Sequence, residues 1–179
     1  MHNVKITMKK HSLLLAILLL NVVITNAQKL VPNNKIKAHE VTFVTTKLGN
    51  DEMSVAHEGS MYHNKVPKNR NPDLSFELRD KSGLLNAFTH VFSDERLKQL
   101  IPEKRIIMTF YLNPSGQIME VSFILNKNTL VTAQELEDLE KTIKADVFYN
   151  FQPTGNKGQD FIDIGMIVTY SKVLDRTLK

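Results

Sequence analysis

Beyond residue 27 the chain carries four histidines, His39, His57, His63 and His90, and two of them precede a glutamate, as His39-Glu40 and His57-Glu58. A zinc site needs three or four ligands converging at about 2.0–2.3 Å. His57, Glu58 and His63 are close in sequence, and His39 can join them from a neighbouring strand, so these four are the candidate ligands. The HExxH spacing that sets two histidines on one helix face is absent, because Met61 stands four residues after His57. Surface histidines on strands and a loop account for the same pattern, and no metal is expected.

Nucleophile chemistry has less to work with. There is no cysteine. Ser60 in "HEGSMY" lacks the G-x-S-x-G frame, and no serine has a lysine three residues later. "NPSGQ" and "PTGNKG" lack the glycine spacing of a phosphate loop and read as turns. The acidic run "ELEDLE" offers paired carboxylates. At helical spacing, however, Glu137, Asp138 and Glu140 are expected on a solvated face, with lysines nearby. The basic "HNKVPKNR" loop has three cations and no aromatic platform for bases or glycans to stack on. The expectation is a protein that is no enzyme and uses no cofactor.

Several elements must position these residues. Lys5, Lys9 and Lys10 ahead of the apolar "LLLAILLLNVVI" (13–24) have the build of a secretory signal peptide over 1–27, with cleavage expected between Ala27 and Gln28. The apolar run is shorter than the roughly 20 residues that span a bilayer. No cysteine stands there to take a lipid. Export to the periplasm or beyond is therefore expected, with no membrane span after cleavage. The mature chain, residues 28–179, carries 20 Lys+Arg against 19 Asp+Glu, so the basic balance of the whole chain belongs mostly to the leader. It is no footprint of nucleic-acid binding.

A strand is expected over 35–50 and a second, short one within 51–60, then a loop over 61–73. Helical spacing begins at 82, with Ser82 as a possible N-cap. A second helix begins at 93, capped by Ser93 and stopped by Pro102. "RIIMTFYL" (105–112) and "IMEVSFIL" (118–125) flank "NPSGQ". In that turn Asn113 can bond its own backbone, Pro114 pre-sets the first turn position and Gly116 can take a positive φ. In the helix 131–147 Thr132 and Glu135 form a capping box, and Leu136, Leu139 and Ile143 make an apolar stripe. "FYNFQP" then spaces Tyr149, Phe151 and Pro153 two apart, before a final strand over 161–173 in which Gly165 marks a bulge or close approach.

That order over 105–171 resembles the C-terminal domain of TonB-type energy transducers. The resemblance is carried by "TFYLNPSGQIMEVSF", "AQELEDLEKTI" and "YNFQPTGNKGQ". The "NAQ" cleavage context and the Asn/Lys-rich style resemble small secreted Bacteroidetes proteins. The long Pro-rich linker and retained anchor of the transducers are missing here, so energy transduction is not implied. What the resemblance does imply is a β-β-α-β core and strand addition at an edge of its sheet.

The fold expected is α+β: an antiparallel sheet of four or five strands with two or three helices on one face. Residues 28–104 would supply N-terminal strands, loop and helices packed on the core, and 105–179 the TonB-like region. The leading functional expectation is an exported module that binds a protein or peptide partner in the cell envelope through a sheet edge or face. Gly165, Ile167, Thr169 and Tyr170 would flank that edge, unless residues 35–46 pair there and cover it. The alternative is a small metal- or glycan-binding secreted protein using residues 39–70.

Overall fold

One turn organises the molecule. The Asn113 carboxamide oxygen accepts from the backbone N–H of Ser115 at 3.0 Å and of Gln117 at 3.1 Å, and Gly116 N–H closes on the Asn113 carbonyl at 3.0 Å. Gly116 has φ +90°, and a Cβ there would sit 1.9 Å from the Tyr149 carbonyl oxygen. The position therefore demands glycine twice over, for its φ and for the close approach. Tyr149 N–H in turn donates to the Gly116 carbonyl at 3.1 Å, which fixes the chain after the long helix against this turn.

The structure is a computed structural model and describes residues 28–69, 75–151 and 158–178. The expected signal segment with Ala27, together with Pro153 and most of its Gly-rich turn, lies outside the described residues. The strands are β1 (Lys35–Lys37), β2 (Thr42–Leu48), β3 (Glu52–His57), β4 (Phe76–Leu78), β5 (Arg105–Leu112), β6 (Ile118–Asn126), β7 (Tyr149–Phe151) and β8 (Ile162–Thr169). The helices are α1 (Lys81–Val91), α2 (Asp94–Leu100), α3 (Ala133–Asp146) and α4 (Tyr170–Leu174), with a 3-10 turn at Ile101–Glu103.

The fold is α+β and its strand pairings are antiparallel, but the main sheet is wider than expected. It has six strands in the order β1-β2-β3-β6-β5-β8, and β4 pairs with β7 in a second, two-stranded sheet. Pairing of β3 with β6 joins the two halves of the chain in one sheet. Alternation then sorts the side chains. Met53, Val55, Ile106, Met108, Phe110, Val121, Phe123, Ile164 and Val168 are buried together with apolar residues of the helices. Each fully buried aliphatic or aromatic side chain of this kind contributes about 1.5–3 kcal/mol. The opposite, open face carries Thr46, Ser54, Ser122, Ile124, Ile107, Thr109 and Tyr111, with Asp163, Gly165 and Ile167 from β8.

Four expectations are corrected. The final strand ends at Thr169; Tyr170 opens α4, wholly buried, its N–H held by the Lys104 carbonyl at 3.2 Å. It therefore cannot flank an edge. The cap of α1 is Asp80, which accepts from Ser82 N–H at 2.8 Å, rather than Ser82. Residues 35–46 do not cover β8: β1 pairs with β2, and β2 with β3, at the far side of the sheet. The last concerns α3. Its capping box forms as expected, Glu135 N–H to Thr132 Oγ1 at 3.2 Å and Thr132 N–H to Glu135 Oε2 at 2.8 Å. Its acidic face, however, is solvated only at Asp138, which is exposed as expected, since Glu137 and Glu140 are both buried.

Those two glutamates are satisfied by groups distant in sequence. Glu137 accepts from the backbone N–H of His39 at 2.7 Å and of Glu40 at 3.1 Å, and pairs with Lys141 at 2.9 Å. Burial pushes its carboxyl up, but the ammonium and the two amides outweigh that and hold it below the usual value. Glu140 meets His57 Nε2 at 2.5 Å and accepts from Val121 N–H at 3.3 Å. The hydrogen bond to Glu140 raises the His57 pKa against the opposing pull of burial.

Candidate functional site

Two features of the sheet stand out, its outer edge at β8 and its open face. β8 runs eight residues against β5, from Leu112 opposite Ile162 to Arg105 opposite Thr169. Among the described residues no strand pairs with its other side. The two edges of this sheet are built differently. β1 is three residues long and presents Lys35 and Lys37 to solvent on either side of buried Ile36, with Lys35 paired to Glu58. Short length and lysines are how proteins blunt an edge against further pairing. β8 has neither device. Its sequence, "IDIGMIVT", contains no lysine, arginine or proline. Ile167 is 56% exposed on it. Gly165 is exposed as well, and a Cβ built there meets nothing within 4 Å. Gly165 thus answers to no close approach or positive φ in the described structure.

The open face is partly roofed. Residues 58–69 cross it, tied down at one end by Glu120, which accepts from Ser60 Oγ at 2.5 Å and Met61 N–H at 3.0 Å. At the other end the Asp160 carboxylate accepts from Lys68 N–H at 2.9 Å, and Asn69 donates to the Gly158 carbonyl at 3.0 Å. Tyr62 in this segment stacks on Tyr111 at 6.0 Å between centroids and leans on Phe161 at 5.0 Å. Beside them lies a groove of about 350 Å³. In it His63 Nε2 faces Ser54 Oγ at 3.5 Å and Nδ1 faces Tyr111 OH at 3.4 Å, while Tyr111 OH lies 3.3 Å from Ser122 Oγ. Burial pushes the His63 imidazole down, to the neutral form, and the Tyr111 phenol up. A second groove, of about 390 Å³, continues along the face past Ile124 to Arg105 and Glu52, which pair across it at 3.7 Å.

No family model matches the chain, and neither does any curated protein. A structural likeness does exist. The crystal structure of a DUF5043 family protein from Bacteroides uniformis ATCC 8492 superposes with a TM-score of 0.61, over 77% of this chain and 85% of that one, at 13% identity. At that identity the likeness is one of fold alone.

The candidate metal ligands are not brought together. His57 faces α3 and is held by Glu140; His63 lies on the opposite face of the sheet. Glu58 pairs with Lys35, and His39 meets α3 through its backbone N–H. Among the described residues no three His, Asp or Glu side chains gather in a way that could hold an ion. Of the proposed edge residues, Gly165, Ile167 and Thr169 lie on β8 and share its open-face side. Phe151 packs against the core from β7, opposite Phe76 of β4. Tyr149 is buried, its ring 6.1 Å from that of Phe110. The groove residues Ser54, Thr109, Tyr111 and Ser122 were not singled out by sequence. The signal in the sequence was the strand alternation, which puts Thr109 and Tyr111 of β5, Ser54 of β3 and Ser122 of β6 at positions facing away from the core.

Proposed function

We propose that this chain is an exported, non-enzymatic interaction module that takes an extended segment of an envelope protein or peptide along the outer edge of β8. The observation that carries the reading is the contrast between the two edges. A sheet that shields β1 with lysines leaves the eight-residue β8 with no strand on its outer side among the described residues. A bound strand would gain main-chain hydrogen bonds from that edge and apolar contact from Ile167. Export rests on the sequence pattern of 1–27, and the resemblance to TonB-type domains supports the mode of pairing. No helix among the described residues is long and apolar enough to cross a membrane.

The experiment is competitive capture from a bacterial envelope extract with wild-type and Ile167→Lys chains, then amide exchange on the recovered complex. The reading expects a specific partner whose binding slows exchange across 162–169, and its loss in Ile167→Lys without a change in thermal unfolding. Capture that survives the lysine, or protection that appears elsewhere, overturns it.

A further inference from the structure

We propose that the groove beside residues 58–69 on the open face is a binding site for a neutral sugar ring, separate from the β8 edge. Its walls are rich in groups that both donate and accept: the hydroxyls of Thr46, Ser54, Thr109, Tyr111 and Ser122, with the His63 imidazole among them. Sugar hydroxyls have the same double character, so such a wall can satisfy a ring whichever way each hydroxyl turns.

Three of these hydroxyl residues, Ser54, Tyr111 and Ser122, are buried although they lie on the open face. They reach one another and His63 only at 3.3–3.5 Å. Hydrogen bonds ordinarily close to about 2.7–2.8 Å between hydroxyls and about 2.9–3.0 Å between nitrogen and oxygen. The contacts in the groove are therefore slack, and much of their bonding capacity is left for a guest. The geometry is nonetheless held in place: Tyr62 and Phe161 pack on the Tyr111 ring, and Glu120 fixes the segment that carries His63. Pre-set donors and acceptors reduce the ordering cost of binding.

Charge narrows the class of ligand. Burial favours the neutral form of His63, and among the described residues Lys65 is the one cation on the groove wall, with the Asp163 carboxylate on the same wall. That balance favours neither an anion nor a cation. Leu48 and Ile124 give the site an apolar patch on which the C–H face of a ring can rest. About 350 Å³ is at the small end of the roughly 300–1,000 Å³ found for ligand pockets. One ring with its substituents suits that space better than an extended oligomer.

The test is a titration of the ¹⁵N-labelled full chain with glucose, galactose, mannose and N-acetylglucosamine, read by amide chemical shifts. Sorbitol, which carries the hydroxyls without a flat C–H face, is the control. At about 10 mM sugar, ten times a millimolar dissociation constant, at least one sugar is expected to shift Ser54, His63, Tyr111 and Ser122 saturably, and sorbitol to bind about tenfold more weakly. Tyr111→Phe keeps the ring stack and removes one hydroxyl, and should weaken binding about five- to tenfold; Ser122→Ala provides a second removal of similar size. No shift with any of the four sugars, shifts confined to other surfaces, equal binding of sorbitol, or undiminished affinity in both variants overturns the proposal.

Discussion

Replacing Glu140 by Gln removes a charge from a buried position while keeping its volume and one oxygen that can still accept from protonated His57 Nε2. Glu140 is 3% exposed and its nearest partner is His57 Nε2 at 2.5 Å. A hydrogen bond to a charged group is worth about 1.5–3 kcal/mol, against about 0.5–1.5 for a neutral one. The substitution should therefore cost about 1–2 kcal/mol when His57 is protonated. For a chain of this size, each kcal/mol moves the unfolding midpoint by about 2–4 °C, so the expected loss is roughly 2–8 °C. The sign with pH comes from the raised pKa of His57. The contribution of its proton is fully present below the unfolded imidazole value of about 6.5 and fades as pH rises through the higher folded value. Thermal unfolding monitored by circular dichroism at pH 5.5 and pH 9 should show a larger deficit at the acid end. A deficit that is equal at both values, or larger in alkali, would refute the assignment of the pair as a charged one.

Gly116→Ala should destabilise by at least about 2 kcal/mol in denaturant unfolding, from positive-φ strain joined to the clash with the Tyr149 carbonyl. Gly165→Ala should instead be neutral or stabilising by up to about 1 kcal/mol, because its Cβ would enter open space. Thr132→Ala removes the α3 cap and should cost about 1 kcal/mol, read by the same method. Ile167→Lys on the exposed edge should change stability by no more than about 0.5 kcal/mol, which makes any loss of partner capture a surface effect.

Local chemistry made parts of this fold legible in advance. The 113–117 turn and the Thr132–Glu135 box are each completed within five residues, so the sequence contains both halves of every bond they need. Glu137 and Glu140 failed that test for the opposite reason: apart from Lys141 on the same helix, the groups that cover them are the backbone at His39 and Glu40 and the His57 side chain, far upstream. A helical wheel shows which residues share a side but not what arrives to cover it. β4 was hidden likewise, since a three-residue strand is defined only by its partner β7. At Tyr170 an apolar run continued past the end of a strand, and period alone could not tell strand from helix over so few residues. The groove was the least visible feature, because its hydroxyls come from β2, β3, β5 and β6, with the imidazole delivered by the crossing segment.

The unequal edges also set a limit on assembly. Head-to-tail joining of sheets, the β8 of one copy against the β1 of the next, would repeat without closing and build a fibre. The three-residue, lysine-flanked β1 denies the second half of that contact. Growth would thus run in one direction only, and a strand docked on β8 as proposed would be a terminus: a surface able to recruit a partner would not recruit an unlimited number of them.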